Sequence, residues 1–159
     1  MEYNERIVKE QAPETYIFPH EYEQASNSYL MAVVSVIAGI PLPIINLIAA
    51  IGFYLGHRKS TYFVRWHCIQ SIIGQALLIP FNSIAFGWTI GVIFGNREAS
   101  TAYWIYIITI LWFNIFEFIV VLYTASKVRN GHNIRWFFIA GITDSLTSKE
   151  NRDIYTRNI

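Results

Sequence analysis

Apolar positions along the chain fall into long unbroken runs, without the polar face that a surface helix or half-buried strand would interleave. The first runs from Tyr29 to Tyr54 and is broken only at Pro41-Leu42-Pro43. The second extends from about Phe63 to Phe94, and the third from about Thr101 to Lys127. Between Ser26 and Tyr123 the only acidic or basic residues are Arg58, Lys59, Arg65, Arg97, Glu98 and Glu117. Runs of this length and apolarity predict an all-α membrane protein, because a hydrocarbon core about 30 Å thick needs about 20 consecutive apolar residues to cross. The polar flanks divide the chain into an acidic, mobile N-terminal tail over 1–27, a helical membrane domain over 28–145 and a polar C-terminal tail over 146–159.

The first run admits two readings. Two prolines two residues apart remove two amide donors and restrict the residue before each, so a straight helix through this point is disfavoured. Each half is about 14 residues, or about 21 Å at the helical rise, which is short for a full crossing. Either the run is one kinked span, or it is a hairpin of two short helices reversing at the prolines. The first half can be lengthened backwards through Glu21–Ser28. In a hairpin, Asn46 and the carbonyls freed near Ile40 need protein or water partners, since lipid offers none.

The second run predicts a long helix containing Pro80, with Gly87, Gly91 and Gly95 at four-residue spacing. Such a row permits close helix approach, or reflects only the general frequency of glycine in membrane helices. Gly95-Asn96-Arg97-Glu98 forms a turn, and the third run predicts a helix about 40 Å long that must tilt or protrude. Spans are thus placed at about 28–40, 44–57, 63–95 and 101–128. Arg58, Lys59 and Arg65 lie on the same side as Lys127, Arg129 and Arg135, and the positive-inside rule makes that side cytoplasmic. The C-terminus is then inside. The N-terminus is inside for a hairpin and outside for a kinked single span. Tyr62, Trp66, Trp88, Tyr103, Trp104, Tyr123 and Trp136 suit the aromatic belts of the two interfaces.

Composition sharpens this picture. Of 159 residues, 53% are hydrophobic and 14% charged, against about a quarter charged in an ordinary soluble domain. A net charge of +1 supplies no clustered basic surface for nucleic acid. Cys68 is the single cysteine, so no internal disulfide forms and no four-cysteine metal site exists. The acidic opening, with Glu2, Glu5, Glu10, Glu14, Glu21 and Glu23, lacks the basic flank and early apolar stretch of a signal peptide. Insertion is expected to proceed through the chain's own spans.

Candidate chemistry centres on Glu117, about ten residues from the Lys127 end of its helix and so about 15 Å deep. A charge at mid-bilayer costs about 2.5 to 3.5 kcal/mol on insertion scales, which directs such a residue towards the bundle interior or a water-filled cavity. Asn114 and Thr124 share its face. The preceding helix carries a complementary stripe, His67, Ser71, Gly74, Leu78 and Asn82, with Gln70 and Gln75 beside it. Antiparallel neighbours would bring Glu117 to Gln75 or Asn82. The stripe reads either as an ion, proton or substrate contact or as hydrogen bonds locking two helices. Asp144 has no evident partner. No Gly-x-Ser-x-Gly, His-x-x-x-His, phosphate loop or close pair of intramembrane acids occurs, so no catalytic residue, cofactor or metal is expected. An enzyme acting on lipid would have only Arg65, His67, Lys127 and His132 to draw on.

The stretch Tyr62-Phe63-Val64-Arg65-Trp66-His67-Cys68-Ile69-Gln70-Ser71 resembles the signature of the chloroplast inner-envelope Tic import component of about twenty kilodaltons and its small bacterial relatives of unknown function. Ala125-Ser126-Lys127-Val128-Arg129-Asn130-Gly131 is similar to that family's basic, glycine-containing exit from the last span. Ile134–Ile142 matches the short apolar segment that follows it. The resemblance covers about residues 28–145. It implies a compact bundle of four transmembrane helices, the first two short and joined at Pro41-Leu42-Pro43, with both termini cytoplasmic. It also implies matching positions for Arg65, at the phosphate headgroups, and for His67 and Gln70, at the start of the polar stripe. The prolines and the brevity of the first two helices depart from the family pattern.

The expectation is a non-enzymatic, multi-pass protein of the cell inner membrane, a subunit or accessory of a membrane assembly and linked to protein translocation. Its partners would be the lipid bilayer and either further copies of itself or other membrane proteins, with no nucleic acid. The competing expectation is a small transporter or channel using the polar stripe Arg65, His67, Gln70, Ser71, Gln75, Asn82, Asn114 and Glu117.

Overall fold

The structure is a computed structural model that describes residues 17–34, 43–95 and 97–147. Among the described residues are five helices and no strand: α1 Pro19–Met31, α2 Pro43–Gly56, α3 Tyr62–Ile93, α4 Thr101–Arg129 and α5 Ala140–Leu146. Pro41-Leu42, where the hairpin reading places a reversal, and the end of the expected first span lie outside the described residues, as does nearly all of the polar C-terminal segment.

α1 takes the backward extension through Glu21–Ser28 and starts at Pro19, within the residues otherwise grouped with the tail. Pro19 opens it in the first turn, where its missing amide costs nothing. The Glu21 carboxylate accepts from the Phe18 amide at 2.6 Å, one half of a capping box. Ala25, Tyr29, Ala32 and Val33 then recur at helical spacing, all at or near zero exposure. Ser26 and Ser28 are buried beside them. The charges at Glu21 and Glu23 hide this stripe from a reading of hydropathy alone. α2, α3 and α4 fall within about two residues of their expected bounds. α4 is capped by Ser100, whose hydroxyl accepts from the Tyr103 amide at 3.3 Å. Its last turn carries Lys127 and Arg129, which favour the negative end of the helix dipole. Gly131, at φ +85°, turns the chain back towards α3 in a conformation that glycine adopts without strain.

α1 wedges between α3 and α4 at the end where the basic residues gather. It runs parallel to α3 and antiparallel to α4: Tyr22 packs edge-on to Phe63, Ser28 accepts through its carbonyl from Ser71 Oγ at 2.9 Å, and Arg129 pairs with Glu23 at 3.0 Å. Ser26 Oγ reaches the Ala125 carbonyl at 2.8 Å, a backbone approach that Ala25 and Ala125 permit by being small. The core cluster is this three-helix seam, with Val64, Cys68, Val121 and Val128 around Tyr29. α2 packs mainly on α3 and ends at Gly56, back at the same pole. α1 therefore leaves the basic pole and α2 returns to it, while Val33 and Asn46 meet at one cleft.

α3 and α4, of 32 and 29 residues, are long and apolar enough to cross a membrane. Beyond the seam they touch through long side chains. Tyr106 donates to the Phe81 carbonyl at 3.1 Å, Tyr103 lies 3.2 Å from the Thr89 hydroxyl, and Trp88 leans on both tyrosines. These props hold the backbones apart. A Cβ on Gly87 would meet nothing within 4 Å, one on Gly91 the side chain of Arg97, and one on Gly95 the backbone of its own helix end. The glycine row is thus no close-approach surface between the described helices. The outward faces are apolar: Leu77 is 53% exposed, Phe86 59%, Trp112 68% and Phe116 66%.

Candidate functional site

The polar stripe divides into two clusters at different depths. The first is a knot at the basic pole. Tyr29 projects from α1 between His67 and Gln70 of α3. Its hydroxyl is 2.8 Å from His67 Nδ1 and accepts from Gln70 Nε2 at 2.7 Å. Gln70 also donates to the Ile134 carbonyl at 3.1 Å and accepts from the Trp136 amide at 3.0 Å. The segment after Gly131 is thereby laid across α3 and α4, and the Trp136 indole donates to Thr124 Oγ1 at 2.9 Å. The indole occupies the space that Gly74 leaves open, since a Cβ there would lie 2.5 Å from its ring. Ser71 ties α3 to the backbone of α1. His67 and Gln70 are wholly buried, and His67 Nε2 has no hydrogen-bond partner among the described residues.

Asp144 has two partners, contrary to the sequence reading. Trp66 Nε1 donates to it at 2.8 Å and Arg135 at 2.6 Å, with the Arg135 guanidinium 4.9 Å from the Trp66 ring centre. This latch fixes α5 against the first turns of α3. Arg65 joins neither cluster, and its Nε is buried without a hydrogen-bond partner.

The second cluster sits about 20 Å along α3 from its first turn, at 1.5 Å per residue. Gln75 Nε2 donates to Glu117 Oε1. About two turns further along α3 and one turn back along α4, Asn82 and Asn114 exchange two hydrogen bonds, at 2.9 and 3.3 Å. Each also donates to a carbonyl of its own helix, Leu78 at 3.0 Å and Ile110 at 2.7 Å. Glu117 thus meets Gln75, one of the two partners expected for it, while Asn82 is taken by Asn114. All four side chains line a cleft of about 440 Å³ between α2, α3 and α4, which Asn46 enters from α2 and Val33 from the end of α1. A second, apolar cavity of about 310 Å³ adjoins it along the α3–α4 seam and shares Leu78, Asn82, Ile110 and Asn114 as wall. Thr124, grouped with Glu117 by helical spacing, belongs instead to the knot.

Tyr29 and Trp136 are the functional-site neighbours that sequence reasoning missed. Trp136 reads as a belt residue and Tyr29 as the edge of a span. Their central roles follow from the packing of α1 and of the segment after Gly131, both distant in sequence, onto α3. Among the described residues no group of three or more histidine, cysteine, aspartate or glutamate side chains could hold a metal. No family model, curated protein or solved structure matches the chain.

Proposed function

We propose that the chain is a non-enzymatic, multi-pass protein of the cell inner membrane that serves as a subunit or accessory of a membrane assembly. The observation that carries this reading is the outer surface of α3 and α4. Large apolar side chains cover it over lengths of about 48 and 43 Å, with Leu77, Phe86, Trp112 and Phe116 more than half exposed. Surfaces of this kind are stable against lipid tails and against the helices of neighbouring chains. The polar groups face inwards and chiefly bond one another, so the interior is tied together and the apolar exterior is left for association. The α1–α2 pair is read as the first hairpin of a four-span bundle, with both termini cytoplasmic. The link to protein translocation rests on the resemblance over about residues 28–145 alone, and fold by itself does not transfer a role.

The test is cross-linking in native membranes followed by purification of the full chain. A discrete homo-oligomer or a reproducible set of membrane partners is expected. A chain that remains monomeric and partnerless after cross-linking would refute the assembly role. The cleft supports a second reading, a small transporter using Glu117. Reconstituted vesicles would then show a solute flux that Glu117→Gln abolishes while the protein remains folded.

A further inference from the structure

The unfilled hydrogen-bonding capacity of the cleft is one-sided. Asn82 and Asn114 close on each other and on their own helices, which leaves little to offer a ligand. The Gln75–Glu117 pair is different. Its single bond uses Gln75 Nε2 and Glu117 Oε1, so Glu117 Oε2 and Gln75 Oε1 remain as acceptors against one amide hydrogen. Glu117 is the only ionisable residue lining this cleft among the described residues, and no lysine, arginine or histidine lines it. Asn46 of α2 also lines it, and the rest of the wall among the described residues is aliphatic and aromatic, including Val33, Leu78, Leu111 and Phe118. Its volume, about 440 Å³, lies in the range of small-molecule sites, which are mostly apolar with a few placed polar groups. The adjoining apolar cavity continues the space past the asparagine pair.

An acceptor-rich head site with one carboxyl, no counter-cation and an apolar extension is complementary to an amphiphile that donates hydrogen bonds and carries positive charge. We infer that the α2–α3–α4 cleft is a binding site for a lipophilic ammonium, its head on Glu117 and Gln75 and its apolar tail along the α3–α4 seam. The ammonium offers three donors to two open acceptors and balances the carboxylate charge, which at this depth is otherwise costly. A fatty acid would set carboxylate against carboxylate. A neutral alcohol would satisfy one acceptor and leave the charge unbalanced. The inference rests on the membrane reading above but is independent of which assembly the chain joins.

Photo-labelling of the full chain in lipid nanodiscs would test it, using a dodecylamine with a diazirine in its tail and the matching dodecanol. The amine is expected to label α3 and α4 peptides around Leu78 and Ile110, saturably and in competition with unmodified dodecylamine. Glu117→Gln preserves an acceptor for Gln75 and removes the charge, and it is expected to weaken saturable labelling about tenfold or more. Leu111→Trp, which fills the cleft without touching the charge, is expected to reduce it as well. Thermal melting of each variant separates loss of binding from loss of fold. Equal labelling by amine and alcohol, or equal amine labelling of wild type and folded Glu117→Gln, would overturn the site. Vesicle flotation separately checks the membrane reading, so failure of one is distinguishable from failure of the other.

Discussion

Gly74 carries more consequence than the three glycines spaced along the outer half of the same helix. Its missing side chain is the floor on which the Trp136 indole rests, and the indole is bonded to Thr124 while its backbone amide is bonded to Gln70. A methyl group 2.5 Å from the ring must push it away, breaking a tie between the C-terminal segment and α4. Gly74→Ala is therefore expected to destabilise the protein by about 1–3 kcal/mol, the usual range for overpacking a filled site. Melting temperature falls and Trp fluorescence shifts to the red. At Gly87 a Cβ meets open space, and alanine is the better helix former, so Gly87→Ala is expected to leave the melting temperature unchanged or raised. A drop at Gly87 equal to that at Gly74 would contradict the packing described. The Asn82–Asn114 exchange makes a second residue-scale claim. A double-mutant cycle with alanine at each position is expected to give a favourable coupling of about 0.6 kcal/mol, the mean for such pairs in membrane bundles, with about 1.7 as the ceiling. Zero coupling would mean that the two amides do not bond each other.

α1 is the element on which the bundle turns, because it supplies contacts at the basic pole that α3 and α4 do not make with each other. It is also the element least legible in the sequence. Hydropathy finds α2, α3 and α4 because they are apolar on every side and need no periodic pattern to be seen. α1 is amphipathic, with Glu23 outward and Ala25, Tyr29 and Ala32 inward, and its polar half resembles a tail until its spacing is counted. The site was legible to the same degree. Depth and antiparallel packing narrowed the partner of Glu117 to Gln75 or Asn82, whereas the choice between them, Asn82 against Asn114 and Trp136 over Gly74 needed the helix rotations that only side-chain packing sets. The fit of α1 depends on small residues: Ala25 is fully buried and Ser26 Oγ bonds the Ala125 carbonyl. Ala25→Leu is expected to lift α1 from the seam. The buried thiol of Cys68, 1% exposed and part of the same cluster, reports the event without any introduced label. Wild type should react with maleimide only after denaturation, and Ala25→Leu should react in the native state. Equal protection in both would show that α1 does not cover Cys68.

At the scale of the whole molecule, the fold has two unlike poles. One gathers the outer ends of α1 and α2, the first turn of α3, the last turn of α4 and the Asp144 latch, and with them Arg58, Lys59, Lys127, Arg129 and Arg135. The other is the α3–α4 turn, with Arg97 and Glu98 between apolar helix ends. An excess of lysine and arginine near span ends marks the cytoplasmic side, so the proposed four-span reading puts the crowded pole inwards and the α3–α4 turn outwards. Because α1 starts at the crowded pole and α2 ends there, the chain enters and leaves that side before α3 begins, whatever depth the intervening residues reach. Single cysteines in a Cys68→Ala background distinguish the alternatives. His20 and Lys59 flank the α1–α2 pair, and Ala99 lies at the opposite turn, all three exposed or partly exposed. An impermeant maleimide added to intact cells is expected to label Ala99→Cys, and to label His20→Cys and Lys59→Cys only after permeabilisation. External labelling of His20→Cys with protection of Lys59→Cys would require the chain to cross once between them. α1 could not then lie beside the basic end of α4, and the Ser26–Ala125 and Glu23–Arg129 contacts would both have to be abandoned. Protection of both would instead keep the two contacts, with α1 wedged between α3 and α4 and tied through Tyr29 to the knot on α3.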